Sequence, residues 1–385
     1  MKNILFIHQS ADLYGSDKTL LLLLKHLDKT QFKPVVVIPV DGPLKVELGK
    51  INVEVHIAPV LKLYRNIFKP KNILKFFSEY KTAIKFIDTL NEKHQFNIIY
   101  SNTLAVLLGM IYAKKRKIKH IWHVHEIIVH PKKVAAIFPK LLNKYADVIV
   151  CNSNATLRNL VIRISEIQLK GIVIYNAIER HPLSSEIPVL KSDFGFNSDD
   201  IIITLAGRIN RLKGHKLILE VFTKNFTTQD KIKLLFVGSP VSGQENYLHE
   251  VERIIEENYL GNKVKILPFT DNLQLIWQIT DIAIIPSTEA ESFGLVAIEA
   301  MQAKKPVIGT NHGGLTEIIV QNETGLLVEP NNTDEFYKAL QLLIDKPEIR
   351  FAMGENGFAR VSEKFSIENY VKNFQNLFLD CKMLF

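Results

Sequence analysis

Pro286-Ser-Thr-Glu-Ala-Glu-Ser-Phe-Gly-Leu-Val-Ala-Ile-Glu-Ala-Met301 is the stretch on which the reading of this chain turns. An apolar strand, Asp281 to Ile285, leads into it. Glu289 and Glu291 sit in the polar turn, and Gly294 opens a helical run from Leu295 to Gln302 that carries Glu299. A strand, a polar turn and a helix start make the usual layout of a ligand site at the carboxyl edge of an α/β sheet. The first turn of such a helix has free N–H groups that favour an anion. With a phosphate there, Glu291 and Glu299 are placed to bind the hydroxyls of an attached sugar or ribose. Along an uninterrupted helix they stand about 12 Å apart. That spacing excludes an acid/base dyad on one bond and favours two grips on one extended ligand.

Outward from this stretch, two further segments point to the same edge. Ala206-Gly-Arg-Ile-Asn-Arg-Leu-Lys-Gly-His215 follows the strand Ile201 to Ala206, with Arg208 leaving the strand end and Lys213 opening a helix to Asn225. A guanidinium fork and an ammonium point charge can clamp a diphosphate. They would do work otherwise given to a divalent metal. The chain has no Asp-x-Asp pair, so no metal is expected. Downstream, Gly309-Thr-Asn-His-Gly-Gly314 reads as a backbone-rich wall against the same ligand.

The alternation of strands and helices extends over the whole chain. Strand-like runs fall at Lys2–His8, Pro34–Ile38, Val53–Ala58, Asn97–Ser101, His120–His125, Asp147–Cys151 and Gly171–Tyr175, with helical runs between them. A second series starts at Ile201. Such alternation implies two doubly wound parallel sheets. The expected domains are residues 1–178 and 201–365, joined by a linker, 179–200, around His181-Pro-Leu-Ser-Ser-Glu-Ile-Pro188. A last helix, 366–385, has Ile367, Tyr370, Val371, Phe374, Leu377 and Phe378 on one face and is expected to dock back on the first domain.

Within the first domain, a polar turn after the first strand holds Gly15 and Ser16, and Ser16 or Asp17 is the expected N-cap of the helix Leu20–Leu27. One glycine is not the dinucleotide fingerprint, so NAD is not expected. In His120-Ile-Trp-His-Val-His-Glu126, strand geometry sends Ile121, His123 and His125 to one side and His120, Trp122 and Val124 to the other. His125 lies nearest the carboxyl edge. A zinc site from His123, His125 and His130 lacks its remaining ligands. Ser153 is the expected cap of the helix after the Asp147 strand.

At 385 residues the chain exceeds one ordinary core. Its 47% hydrophobic and 23% charged residues are those of a globular protein. Cys151 and Cys381, the two cysteines, offer neither a disulfide framework nor a metal spacing and read as buried thiols. No apolar run reaches the ~20 residues of a membrane span, and Met1-Lys2 runs straight into the first strand rather than into a secretory leader. A cytoplasmic protein is expected, peripheral on the inner face of the membrane. Of the net charge of +8, the stretch Leu61–Lys144 carries 17 Lys/Arg against 4 Asp/Glu. Between Leu61 and Ile87 these interleave with aromatic and aliphatic residues. The pattern suits a basic amphipathic helix on an anionic membrane surface, and equally a lysine-rich solvated face. No nucleic-acid module accompanies it.

The chain resembles family 4 of the nucleotide-sugar-dependent glycosyltransferases, over essentially its whole length. The resemblance rests on Gly15-Ser16, His125-Glu126, Ser153, Tyr175-Asn-Ala-Ile178, Gly207-Arg208 with Lys213-Gly214, Val237-Gly238, the E-x7-E from Glu291 to Glu299, Gly313-Gly314 and Asn322-Glu-Thr-Gly-Leu-Leu-Val328. It implies a GT-B architecture, two facing Rossmann-like domains with the site in the cleft. It also implies metal-free, retaining transfer of a sugar from a UDP- or GDP-linked donor, with no further cofactor. By that resemblance Arg208 and Lys213 neutralise the leaving diphosphate, helped by the helix start at Phe293-Gly294 and the N–H of Leu295. Glu291 holds sugar hydroxyls and Glu299 the ribose. Gly15, Ser16, Gly207 and Gly238 lie along the donor, and His125 contacts the sugar and the incoming hydroxyl. A glycan or polyprenyl-linked oligosaccharide is the implied acceptor, in capsule, O-antigen or exopolysaccharide synthesis. Asn176-Ala177 and Leu267-Pro-Phe-Thr270 depart from the common pattern, at the domain end and near the base pocket. Two other readings keep the fold: a UDP-sugar 2-epimerase, which the E-x7-E layout does not suit, and a non-catalytic scaffold in a glycan-assembly complex, against which the intact charged set argues.

Overall fold

The computed structural model describes residues 1–62, 70–179, 189–240 and 243–380, and only the backbone of 70–75 and 77. Most of the basic Leu61–Ile87 segment's first half, the His181–Pro188 loop and Cys381 lie outside the described residues. The chain forms two compact units: Met1–Ala177 together with the C-terminal helix, and Ile178–Ser366. The crossing points are adjacent, since Ile178 and Ser366 form a parallel bridge in the second unit. Within the expected linker, Lys191–Phe194 is a short helical turn.

In the first unit the elements run β1 (Lys2–His8), α1 (Gly15–His26), β2 (Phe32–Ile38), α2 (Pro43–Lys50) and β3 (Glu54–Ile57). They continue with α3 (Pro70–His94), β4 (Ile98–Asn102), α4 (Leu108–Arg116), β5 (Lys119–Val124), α5 (Lys132–Tyr145), β6 (Val148–Cys151), α6 (Asn154–Val161) and β7 (Gly171–Val173). Among the described residues the sheet order is β3-β2-β1-β4-β5-β6-β7, with every pair parallel. The order reverses between β1 and β4, and that crevice is where ligands bind in such sheets.

Both faces of this sheet are buried, so its strands read as nearly continuous apolar runs. Leu5, Ile7, Ile99, Trp122 and Val124 face one core with α4, α5 and α6; Ile4, Phe6, Ile98, Tyr100 and Ile121 face the other with α1 and α2. The alternation expected for His120–His125 is therefore present, although the strand itself ends at Val124. Ser153 caps α6 as expected, accepting from Thr156 N at 3.0 Å. The cap of α1 is a correction: neither Ser16 nor Asp17 takes that position. Tyr14 does, because Asp17, three places into the helix, reaches back to accept from Tyr14 N at 3.0 Å. Cys151 is buried, and burial pushes its thiol pKa up.

The second unit repeats the plan with β8 (Ile201–Ala206), α7 (His215–Asn225), β9 (Ile232–Val237), α8 (Asn246–Glu257), β10 (Val264–Leu267), α9 (Leu273–Ile279) and β11 (Ile282–Ile285). It ends with α10 (Leu295–Gln302), β12 (Val307–Thr310), α11 (Leu315–Ile318), β13 (Gly325–Val328), α12 (Thr333–Asp345) and α13 (Pro347–Lys364). The order β10-β9-β8-β11-β12-β13 again reverses between the first and fourth strands of the unit, β8 and β11.

The last helix, α14 (Ile367–Asp380), belongs to the first unit. Ile367, Tyr370, Val371, Phe374 and Phe378 complete the core on the α1 side of its sheet. Phe374 and Phe378 pack on Tyr100 at ring distances of 6.1 and 6.0 Å. Polar bonds fix the register: Tyr370 donates to Thr19 O at 3.2 Å, Asp28 N to Gln375 Oε1 at 2.9 Å, and Lys2 Nζ to Phe378 O at 2.6 Å.

Candidate functional site

In the second unit the expected residues gather at the carboxyl edge on either side of the β8/β11 reversal. Gly207 and Arg208 follow β8 directly, with Gly207 N donating to Val237 O at 2.9 Å and Arg208 exposed. Gly238 follows β9. Lys213 does not open a helix, as the periodicity suggests; it ends a short 3-10 turn, Arg211–Lys213, and α7 starts at His215. Gly214 makes the break. Its φ is +76°, and a Cβ there would stand 1.9 Å from Pro286 O. Only glycine lets the β8 turn approach the β11 loop so closely.

That approach creates the site. Thr288 N donates to Leu212 O at 2.9 Å and Thr288 Oγ1 to Arg211 O at 3.1 Å. Two ion pairs flank these bonds: Arg211 with Glu289, and Lys213 Nζ with Glu291 Oε1 at 2.5 Å. The first is exposed and adds little. In the second the side chains are only 25% and 18% exposed, which makes the pair a defined feature of the edge. Ser287 Oγ donates to the same Glu291 oxygen at 2.6 Å. Burial works against ionising Glu291, but the Lys213 charge, the bonds from Lys213 and Ser287, and His312 outweigh it and lower its pKa.

Gly313-Gly314, expected as a wall against the ligand, pack on the backbone of Glu291. Gly314 N donates to Glu291 O at 2.7 Å, and at Gly313, with φ +63°, a Cβ would meet that oxygen at 2.2 Å. His312 Nε2 bonds Ser287 O at 3.0 Å. Ser287, Thr288 and His312 are supporting residues that the sequence reading passed over, because nothing in their own spacing marks them.

Gly294, φ +115°, is the N-cap of α10, so Leu295 is its first residue and Glu299 lies one turn in. The break at Gly294 also corrects the spacing argument: Glu291 stands in the turn before the helix, and no continuous helical rise separates it from Glu299. Phe293 is buried edge-on against Phe365 at 5.7 Å, so only its backbone is at the edge.

In the first unit, Gly15 and Ser16 are the first residues of α1 at the β1/β4 crevice. His125 follows β5 at the same edge, half-buried, with Nε2 2.8 Å from Asn102 Oδ1. Burial lowers its pKa to about 3, with the neighbouring His8 adding to the effect and the Asp17 charge opposing it. His123 lies beneath, bonded to the Tyr100 hydroxyl at 2.6 Å, its ring 3.9 Å from that of His125. Glu126 Oε2 accepts from Leu104 N and His125 N, yet burial raises its pKa to about 7. No three His, Cys, Asp or Glu side chains among the described residues are grouped to hold a metal ion. No described helix is long and apolar enough to cross a membrane.

Comparison with known proteins extends to nearly the full length. Residues 14–181 match the family described as Glycosyltransferase Family 4, and residues 186–360 that of the glycosyl transferases group 1. An uncharacterized glycosyltransferase of Methanocaldococcus jannaschii is 26% identical over 85% of this chain and 85% of its own length. A lipopolysaccharide 1,2-N-acetylglucosaminetransferase of Salmonella typhimurium is 24% identical over 86% of this chain and 85% of its own. The crystal structure of Anabaena HepE with UDP and glucose superposes with a TM-score of 0.85, covering 98% of this chain and all of that one, at 22% identity. At that identity the match speaks for the fold.

Proposed function

The chain belongs to glycosyltransferase family 4, with the GT-B fold, and from that premise we propose that it is a metal-independent, retaining transferase. It moves a sugar from a nucleotide-sugar donor to a glycan or lipid-linked acceptor in the building of a cell-surface polysaccharide. The similar Anabaena structures hold UDP and UDP-glucose, which supports a UDP-linked donor. The lipopolysaccharide transferase among the relatives supports the acceptor class.

The observation that carries the reading is the Lys213–Glu291 pair beside Arg208 at one sheet edge. Lys213 has three N–H groups and spends one on Glu291, which leaves donors for a phosphate oxygen. Glu291 takes its bonds from Lys213 and Ser287 on Oε1, and its Oε2 is the oxygen offered to sugar hydroxyls. Arg208, Lys213 and the first N–H groups of α10, at Leu295, stabilise the diphosphate as the bond from C1 to its phosphate oxygen breaks. The acceptor oxygen bonds C1 on the same face, and its proton passes to the departing phosphate. In this scheme Glu299 holds the ribose, Gly15, Ser16, Gly207 and Gly238 give the donor close backbone, and His125 contacts the acceptor hydroxyl. The basic Leu61–Ile87 segment would rest on an anionic membrane surface.

A thermal-shift panel of nucleoside diphosphates and nucleotide sugars identifies the donor, since a bound ligand stabilises by mass action. With that donor, Arg208→Ala and Lys213→Ala are each expected to lower kcat by roughly 100-fold or more, and a chelator to leave turnover unchanged. Near-normal kcat in both variants would sink the leaving-group assignment. Strict metal dependence would sink the cation clamp.

A further inference from the structure

Four side chains of the first unit lie end to end at the β1/β4 crevice. Asp17 Oδ1 is 2.7 Å from His8 Nε2, His8 Nδ1 is 2.9 Å from Asn102 Nδ2, and Asn102 Oδ1 is 2.8 Å from His125 Nε2. His8, Asp17 and Asn102 are buried and come from β1, α1 and β4.

One contact sets the direction of every bond in this row. Asn102 Nδ2 also lies 3.3 Å from the Ser16 carbonyl, which can only accept. The amide nitrogen therefore faces Ser16, because the flipped amide would set two oxygens against each other. With Nδ2 on that side, Oδ1 faces His125, and His125 Nε2 must carry the proton. Nδ2 donates to His8 Nδ1, so His8 carries its proton on Nε2 and donates to Asp17. Asp17 suits the end of the row. Its carboxylate also accepts from Ser10 Oγ at 2.5 Å and from Tyr14 N at 3.0 Å. Burial resists its ionisation, but the His8 contact and these bonds hold its pKa below the usual value. Among the described residues no group bonds His125 Nδ1.

We infer that Asp17, His8 and Asn102 form a positioning relay that holds His125 in one tautomer. Nε2–H is committed to Asn102, and Nδ1 remains as a hydrogen-bond acceptor. His125 then takes a hydrogen bond from a substrate hydroxyl instead of donating one. The relay orients the lone pair before substrate arrives, which removes the cost of sampling the other tautomer and ring flip. That the hydroxyl belongs to a sugar acceptor or donor rests on the proposed function; the tautomer does not.

The test is long-range proton–nitrogen correlation spectra of the full chain labelled with nitrogen-15 histidine, the His125 signals being assigned by their loss in His125→Gln. The wild type is expected to show the Nε2–H tautomer at His125. Asn102→Ala should give a mixture of tautomers and, in turnover, a kcat lower by roughly 10- to 100-fold. Asn102→Asp keeps the shape and an acceptor for His125, so the tautomer persists. Its new carboxylate raises the ionisation of His125 against the existing neighbours His8, Asp17, His123 and Glu126, a shift read in the same spectra. An Nδ1–H tautomer in the wild type overturns the relay, as does a folded Asn102→Ala variant that keeps the wild-type tautomer and kcat. Should Asn102→Ala fail to fold, an unmoved His125 ionisation in Asn102→Asp overturns it. An Nε2–H wild type and responsive variants without any nucleotide-sugar turnover support the relay and overturn the proposed function instead.

Discussion

Two carboxylates at the sheet edges show how environment divides one chemistry into two behaviours. Glu291 is held ionised because Lys213 and Ser287 compensate its burial, whereas the backbone N–H groups around Glu126 do not outweigh its burial and its pKa rises to about 7. For Glu126 the sign follows from linkage. Its folded value lies above the ordinary 4.5, so the folded chain binds more protons than the unfolded one between those values. Its contribution to stability is present in acid and is lost as pH rises through 7. Glu126→Gln keeps an oxygen for Leu104 N and His125 N but cannot ionise. Its Tm is therefore expected to exceed that of the wild type at about pH 8 and to match it at about pH 4, as followed by circular dichroism; an equal shift at both would contradict the burial argument. At this scale Arg208, Lys213, Glu291 and His125 were legible as candidates, because each is a charged or titratable type at the end of a strand-like run or in the turn that follows one. The roles of Ser287, His8 and Asn102 were not. His8 and Asn102 are 94 positions apart and acquire their roles only when β1 and β4 pair.

At the scale of elements, the alternation of apolar runs identified the strands and helices, and capping chemistry identified the start of α6. The same reasoning misplaced Lys213 and the cap of α1. Lys213 lies in a helix-like run of residues, and what ends that run is the contact of Gly214 with Pro286, more than seventy positions away. Gly214→Ala is expected to cost about 1–3 kcal/mol through left-handed strain, with a further cost from the clash. It should also separate the β8 turn from the β11 loop. A fall in turnover comparable to that of Lys213→Ala, with Lys213 and Glu291 both intact, is the outcome that supports the zipper of bonds between these segments. A stable, fully active Gly214→Ala would refute it.

At the scale of the molecule, α14 ties the end of the chain to its beginning. Phe374 and Phe378 belong to the same core as Phe6, Phe32 and Tyr100. Each buried aromatic is worth about 3–5 kcal/mol against alanine. A chain ending at Ser366 is expected to lose the calorimetric transition of the first unit and keep that of the second; loss of both, or of neither, would contradict the division into units. If the basic segment meets a membrane, binding to anionic vesicles should weaken as salt rises, and salt-insensitive binding would count against it. The sequence by itself determined the two doubly wound units, the amphipathic closing helix and the charged residues of the second sheet's edge. Periodicity and local turn chemistry encode these within a few neighbouring residues. Only the tertiary structure decided that Lys213 meets Glu291, that Gly313-Gly314 pack on the backbone of Glu291, and that Asp17, His8 and Asn102 align behind His125. Each of these depends on which strand lies beside which at the two reversal points, a long-range pairing that no local pattern records.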